Sequence, residues 1–176
     1  MQFYDLYVNQ YETKGGRMVQ DNILKDENFL KAAGRIVADA RHFIYISTFK
    51  LELSTKRRGK QLADFFDLLG EKARSNVEVR ILTNTQLEQN HVPHTNHYAI
   101  KELKEKGINF RYLPNNRIVH AKLLLIDNGP AILGSHNLSI NSCHKNLELS
   151  YVINDKWSIL SLQATFIQQW YLAKEL

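Results

Sequence analysis

The stretch HAKLLLIDNGPAILGSHN, His120 to Asn137, decides how this chain is read. It sets His120, Lys122, Asp127, Gly134, Ser135 and Asn137 in the spacing HxKx4Dx6GSxN. An imidazole able to act as a nucleophile, a fixed cation and two short polar side chains are parts suited to work on a phosphate. Six such positions, each met about one time in twenty, coincide by accident roughly once in several hundred thousand chains of this size. The segment therefore carries more information than composition does, and its neighbours say how it is presented.

The run RIVHAKLLLID, from Arg117 to Asp127, reads as a strand, and AILGS, from Ala131 to Ser135, as the next. Alternate residues of a strand share a face, so His120 and Lys122 are expected to project together while Ala121 and Leu123 face away. The second strand delivers Ser135 and Asn137 at its carboxyl end, where the loops of α/β sheets assemble sites. LELSYVI, Leu147 to Ile153, is a further strand, and it places Glu148 within expected reach of an imidazole. Asp127 falls on the strand face opposite Lys122 and is read as structural, anchoring the loop Asn128-Gly129-Pro130. Gly134 is expected to give the backbone room at a turn.

Upstream, Phe29, Ala33, Ile36, Val37 and Ala40 recur at helical spacing behind Asp26, a suitable cap. FIYISTF (Phe43 to Phe49) reads as a buried strand, Leu62 to Leu69 as a second helix, and VEVRILT (Val77 to Thr83) as another strand. A third helix near Asn96 to Lys106 ends at Gly107, where a glycine suits the left-handed cap, and NFRYL follows as a strand. Trp157, Leu160, Ala164, Ile167 and Tyr171 trace a closing helix. Helices alternating with buried strands predict an α/β sandwich over residues 1–176 as one domain. Residues 1–21 are the least legible segment, with Gly15-Gly16 marking a turn.

The 44% apolar and 23% charged composition is that of a globular protein, and no apolar run approaches the roughly 18 residues of a membrane span. The first residues lack the basic-then-apolar order of a secretory signal, so a cytoplasmic location is expected, with no stable membrane association. Cys143 is the sole cysteine, which excludes an internal disulfide and a cysteine-based zinc site. A net charge of +5 favours anionic partners, nucleic acid first. Lys56, Arg57, Arg58 and Lys60 cluster after a strand, and Arg117 lies three residues before His120; these are the candidate contacts to a nucleic-acid backbone. His91, His94 and His97 are spaced as a triplet, but Pro93 interrupts the helix that would align them, and they read as a polar rim rather than a zinc site.

With these residues in place the chain resembles the phospholipase D superfamily, whose HKD motif is matched at His120, Lys122, Asp127, Gly134, Ser135 and Asn137. Glu148 in NLELSYVI matches the acidic partner of the motif histidine, and the likeness spans about residues 25–176. The resemblance implies an α/β/α sandwich with a mixed, mostly parallel sheet flanked by helices. One motif in a short chain looks most like the small single-motif nucleases of the superfamily, which implies a homodimer with two facing copies of His120.

It further implies that one His120 attacks phosphorus while the other protonates the leaving oxygen and later activates water. An imidazole with its ordinary pKa near 6.5 has both forms accessible around neutral pH. Glu148 would hold the other ring nitrogen of His120, Lys122 would offset charge on the non-bridging oxygens, and Ser135 and Asn137 would donate further hydrogen bonds there. Neither metal nor cofactor is called for. Two alternatives stay open: a phospholipid hydrolase or phosphatidyl transferase, and a non-catalytic nucleic-acid-binding dimer.

Overall fold

Strands rich in apolar residues, separated by helices that bury apolar side chains, leave few ways to fold except in layers. The computed structural model describes residues 9–12, 18–26, 28–53, 57–85 and 94–176. A hairpin of β1 (Asn9–Glu12) and β2 (Met18–Asp21) precedes β3 (Ile23–Lys25) and α1 (Asn28–Asp39). Then come β4 (Phe43–Ser47), a 3-10 turn (Arg57–Gly59), α2 (Lys60–Arg74), β5 (Glu78–Thr83), α3 (His94–Lys104) and β6 (Asn109–Tyr112). The chain continues through β7 (Lys122–Ile126), β8 (Ala131–Gly134), α4 (Ile140–His144), β9 (Leu149–Ile153), α5 (Lys156–Leu172) and β10 (Lys174–Glu175). The expected turn at Gly15-Gly16 lies outside the described residues.

Eight strands form one sheet in the order β10-β6-β5-β4-β7-β8-β9-β3. The α/β layering agrees with expectation, but a preponderance of parallel strands does not. Only β4 with β5 and β5 with β6 pair in parallel; the other five pairings of that sheet are antiparallel. The reason lies in the connections. A parallel neighbour needs a crossover such as α2 or α3, whereas the tight Asp127 to Pro130 turn sends β8 back beside β7.

On one face α1, α2 and α3 cover the sheet, with Ile36, Phe66, Ile81, Leu103, Leu124 and Val152 in the shared core. On the other, α5 packs Ile159, Phe166 and Trp170 over Tyr45, Leu82 and Leu125. The expected inward face of α5 is corrected: Trp157 and Tyr171 are 78% and 74% exposed. Apolar residues surround KWSILSLQATFIQQWYL on all sides, so spacing selects no face, and the sheet chooses the one with the best ring contacts. Phe166 stacks on Tyr45 at 4.8 Å, and Arg80 and Arg111 lie over the Trp170 ring.

Two boundary expectations also change. The Asp26 carboxylate accepts from the Glu148 amide across the fold, while its carbonyl accepts from Phe29. Gly107 does take a φ of +85°, as its place after α3 requires. Strand β7 begins at Lys122, so Arg117 to Ala121 approach it as irregular chain outside the ladder. His120 is therefore not a strand residue, and strand alternation alone does not aim it.

Candidate functional site

At the end of the sheet where β7 begins and β8 finishes, one open groove of about 400 Å³ is lined by His120, Lys122, Gly134, Ser135, Asn137 and Glu148. All five expected site side chains thus meet. Lys122 is only 8% exposed, because it points from the first residue of β7 onto the face covered by α1. Its Nζ donates to the His120 carbonyl and lies 5.7 Å from the Phe49 ring centre. Burial lowers the Lys122 pKa from the ordinary lysine value, and the charge of Glu148 opposes that fall.

The His120 ring is exposed and leans on Phe49, with centroids 5.4 Å apart and planes tilted by 50°. Glu148 shares its groove, yet the carboxylate takes hydrogen bonds from Ser135, Ser142 (2.9 Å) and Asn146 (3.0 Å) rather than from the imidazole. That departs from the expected orienting contact, because His120 stands outside the strand and Glu148 is drawn toward α4. Burial pushes the Glu148 carboxyl up, but the three hydrogen bonds outweigh it and leave its pKa below the usual value. Ser135 directs its hydroxyl proton to Glu148 and accepts from the Leu149 amide at 3.1 Å. Its proton is thus committed within the protein, unlike the phosphate-facing donor that was expected.

Asn137 uses Oδ1 to accept from the amides of Phe49 and Lys50, both at 3.2 Å, and from the Thr48 hydroxyl. With that oxygen engaged, the amide nitrogen is the end available to an oxyanion. Gly134 is the last residue of β8, not part of a turn. A Cβ there would lie 2.2 Å from the Ser150 hydroxyl and 2.5 Å from the Leu149 carbonyl, so β8 and β9 could not approach as they do. Asp127 sits at the far end of β7 with φ +34°. Its carboxylate accepts from the backbone amides of Arg41, His42 and Phe43 at 2.7–2.9 Å, pinning the start of β4 rather than the Asn128 loop alone.

Four contributors were not singled out from sequence. Ser142 accepts from the Asn137 amide at 2.8 Å and donates to Glu148, while Asn146 braces the same carboxylate. Phe49 floors both His120 and Lys122, and Ser139 caps α4 by accepting from Ser142. The spacing from Asn137 through Ser139 and Ser142 to Glu148 was the available signal, since a serine three residues before another polar residue marks a helix start. His136 is a core residue: it is 2% exposed, stacks on Phe29 at 4.5 Å and meets Ser150 through Nδ1 at 2.7 Å.

The more distant candidates divide. Arg57 and Arg58 are exposed on the 3-10 turn, which packs near α4, and Lys60 pairs with Asp64 at 3.1 Å. Arg117 borders an apolar hollow of about 310 Å³ that also reaches His120. His94 and His97 face solvent at the start of α3, whereas Lys56 and His91 lie outside the described residues.

Residues 35–170 match the family model described as "Cardiolipin synthase, PLD-like domain". The chain belongs to the phospholipase D superfamily. This phospholipase D-like chain is 28% identical over 104 residues to a cardiolipin synthase of Halalkalibacterium halodurans, a match covering 59% of this chain and 20% of that protein. It thus aligns with about a fifth of the length of the curated relatives it matches. In fold it is similar to the phospholipase D family member Nuc from Salmonella typhimurium, with a TM-score of 0.71 and 18% identity over 88% of this chain and 97% of that one. NucT from Helicobacter pylori gives a TM-score of 0.67 at 16% identity, again over 88% and 97% of the two chains. These phospholipase D-like folds share the mixed sheet flanked by helices.

Proposed function

We propose that the chain is a phosphodiesterase that cleaves DNA or RNA at a site completed by a second copy of itself. One observation carries this reading: His120, Lys122, Asn137 and Glu148 line a single open groove, while the chain supplies only one histidine–lysine motif to it. In the first step a His120 ring nitrogen bonds to phosphorus, the phosphorus–oxygen bond to the leaving strand breaks, and His120 of the partner subunit gives that oxygen its proton. In the second, the same partner imidazole removes a proton from water, the hydroxide attacks, and the phosphorus–nitrogen bond breaks. Lys122 and the Asn137 amide answer the charge that builds on the non-bridging oxygens.

Net charge of +5 favours a polyanionic substrate, and Arg57, Arg58 and Arg117 are exposed cations that could meet its backbone. A second copy is supported by the strands that hold the site. On the face away from α1, Leu133 beside Gly134 and Leu149 beside Glu148 are 38% and 49% exposed, with Tyr151 at 50%. Such an apolar strip, next to a half-complete site, suits a twofold contact.

A second reading, exchange of a phospholipid headgroup, is favoured by the apolar hollow that adjoins His120 and by the cardiolipin synthase relatives. Among the described residues, no helix is long and apolar enough to cross a membrane. One experiment separates the two. The protein and His120→Ala are incubated in EDTA with labelled single- and double-stranded DNA, RNA and phospholipid vesicles. Nucleic-acid cleavage by the wild type alone is expected. Release of headgroup without nucleic-acid cleavage would favour the lipid reading, and equal cleavage by His120→Ala would remove His120 from the mechanism.

A further inference from the structure

His120 precedes β7, so something other than a strand ladder must hold it. The residue before it, Val119, is buried between the exposed Ile118 and His120. Asn84, fully buried just past the end of β5, meets Val119 at both backbone polar groups. Its Oδ1 accepts from the Val119 amide at 2.8 Å, and its Nδ2 donates to the Val119 carbonyl at 3.0 Å. The side-chain amide thereby does for Val119 what a neighbouring strand does for a ladder residue.

The same Nδ2 donates to the Phe49 carbonyl at 3.1 Å, and the Phe49 ring is the surface on which His120 leans. Asn96, also fully buried, backs this arrangement from α3. It donates to the Phe49 carbonyl at 3.0 Å and to the Asn84 carbonyl at 3.2 Å, and accepts from the Leu51 amide at 2.9 Å. Two buried amides thus join the end of β5, the 49–51 segment and the approach to His120. A primary amide unpaired in such a place is costly, whereas this one is satisfied on both its oxygen and its nitrogen.

We propose that Asn84 is a positioning residue for His120, fixing the backbone immediately before it and the ring it rests on through one side chain. This role presupposes that His120 attacks phosphorus. The requirement is chemically narrow. A donor and an acceptor must face the amide and the carbonyl of one residue together, and aspartate, with two acceptors, would set a carboxylate against the Val119 and Phe49 carbonyls. Leucine offers neither group.

The test combines amide hydrogen exchange with steady-state kinetics on a single-stranded DNA oligonucleotide, for the wild type, Asn84→Ala and Asn84→Asp. In the wild type the Val119 amide is expected to be protected like β5, and in Asn84→Ala it should lose protection while Val79 and Ile81 keep theirs. Because a misplaced nucleophile reacts slowly without binding less, kcat should fall on the order of a hundredfold with KM changed less than about threefold.

Asn84→Asp should recover relative to the wild type as pH falls from about 8 to 5.5, since a buried carboxyl facing carbonyls titrates high and its protonated form restores one donor. An unprotected Val119 amide in the wild type, unchanged kcat in Asn84→Ala, or a flat Asn84→Asp to wild-type ratio would each overturn the role. If Asn84→Ala fails to fold, the aspartate variant and the wild-type exchange rates decide. A wild type that cleaves no nucleic acid would instead sink the nuclease reading. Val119 exchange and the His120 ring resonances in Asn84→Ala would still test the clamp.

Discussion

Gly134 lies where two strands nearly touch, so its requirement is spatial rather than conformational. Gly134→Ala is expected to cost about 3 kcal/mol in thermal or urea unfolding and to abolish cleavage, because Ser135 and Glu148 shift together when β8 and β9 part. Glu148 offers a test by pH. Its pKa lies below the ordinary value in the folded chain, so the stability it contributes is fully present above its unfolded value, near about 4.3, and is lost as pH falls through the folded one. Glu148→Gln should therefore be less stable than the wild type by about 2 kcal/mol at neutral pH, with the gap closing as pH falls below the ordinary carboxylate range. A gap unchanged across that range in melting temperature would mean that Glu148 is not held ionised by Ser135, Ser142 and Asn146.

Helix α5 shows at the scale of an element how much a pattern can say. Phe166→Ala should lose about 3–4 kcal/mol of unfolding free energy, and Trp157→Ala less than about 0.5, although both are large aromatics of one helix. The strands and helices themselves were legible, because FIYIS, EVRIL and KLLLI are short runs dominated by β-branched and other apolar residues, and α1 and α2 have one apolar face each. The motif likewise named the groove's lining, since a strand start and the end of its hairpin partner must lie side by side. Strand direction and the inward face of α5 were not legible. Both depend on which surface the rest of the fold presents. The serine spacing marks the start of α4 but not the bracing of Glu148 by Ser142, because a cap pattern does not say which carboxylate a hydroxyl will meet.

Over the whole molecule, the proposed sharing of the site between copies would make activity depend on concentration. Specific activity is expected to fall on dilution in step with a shift from dimer to monomer in sedimentation, and Tyr151→Asp should move both transitions to higher protein concentration. Constant specific activity from a strictly monomeric species would contradict the shared site. Cleavage of nucleic acid should also weaken steeply with added salt, as backbone neutralisation requires. The shape of the sheet bears on how such association stops. Its two borders are β10, of two residues, and β3, of three, too brief to template another chain's strand along them. For the proposed dimer, growth into a filament is thereby disfavoured, and contact through the exposed face about a twofold axis would end at a closed pair.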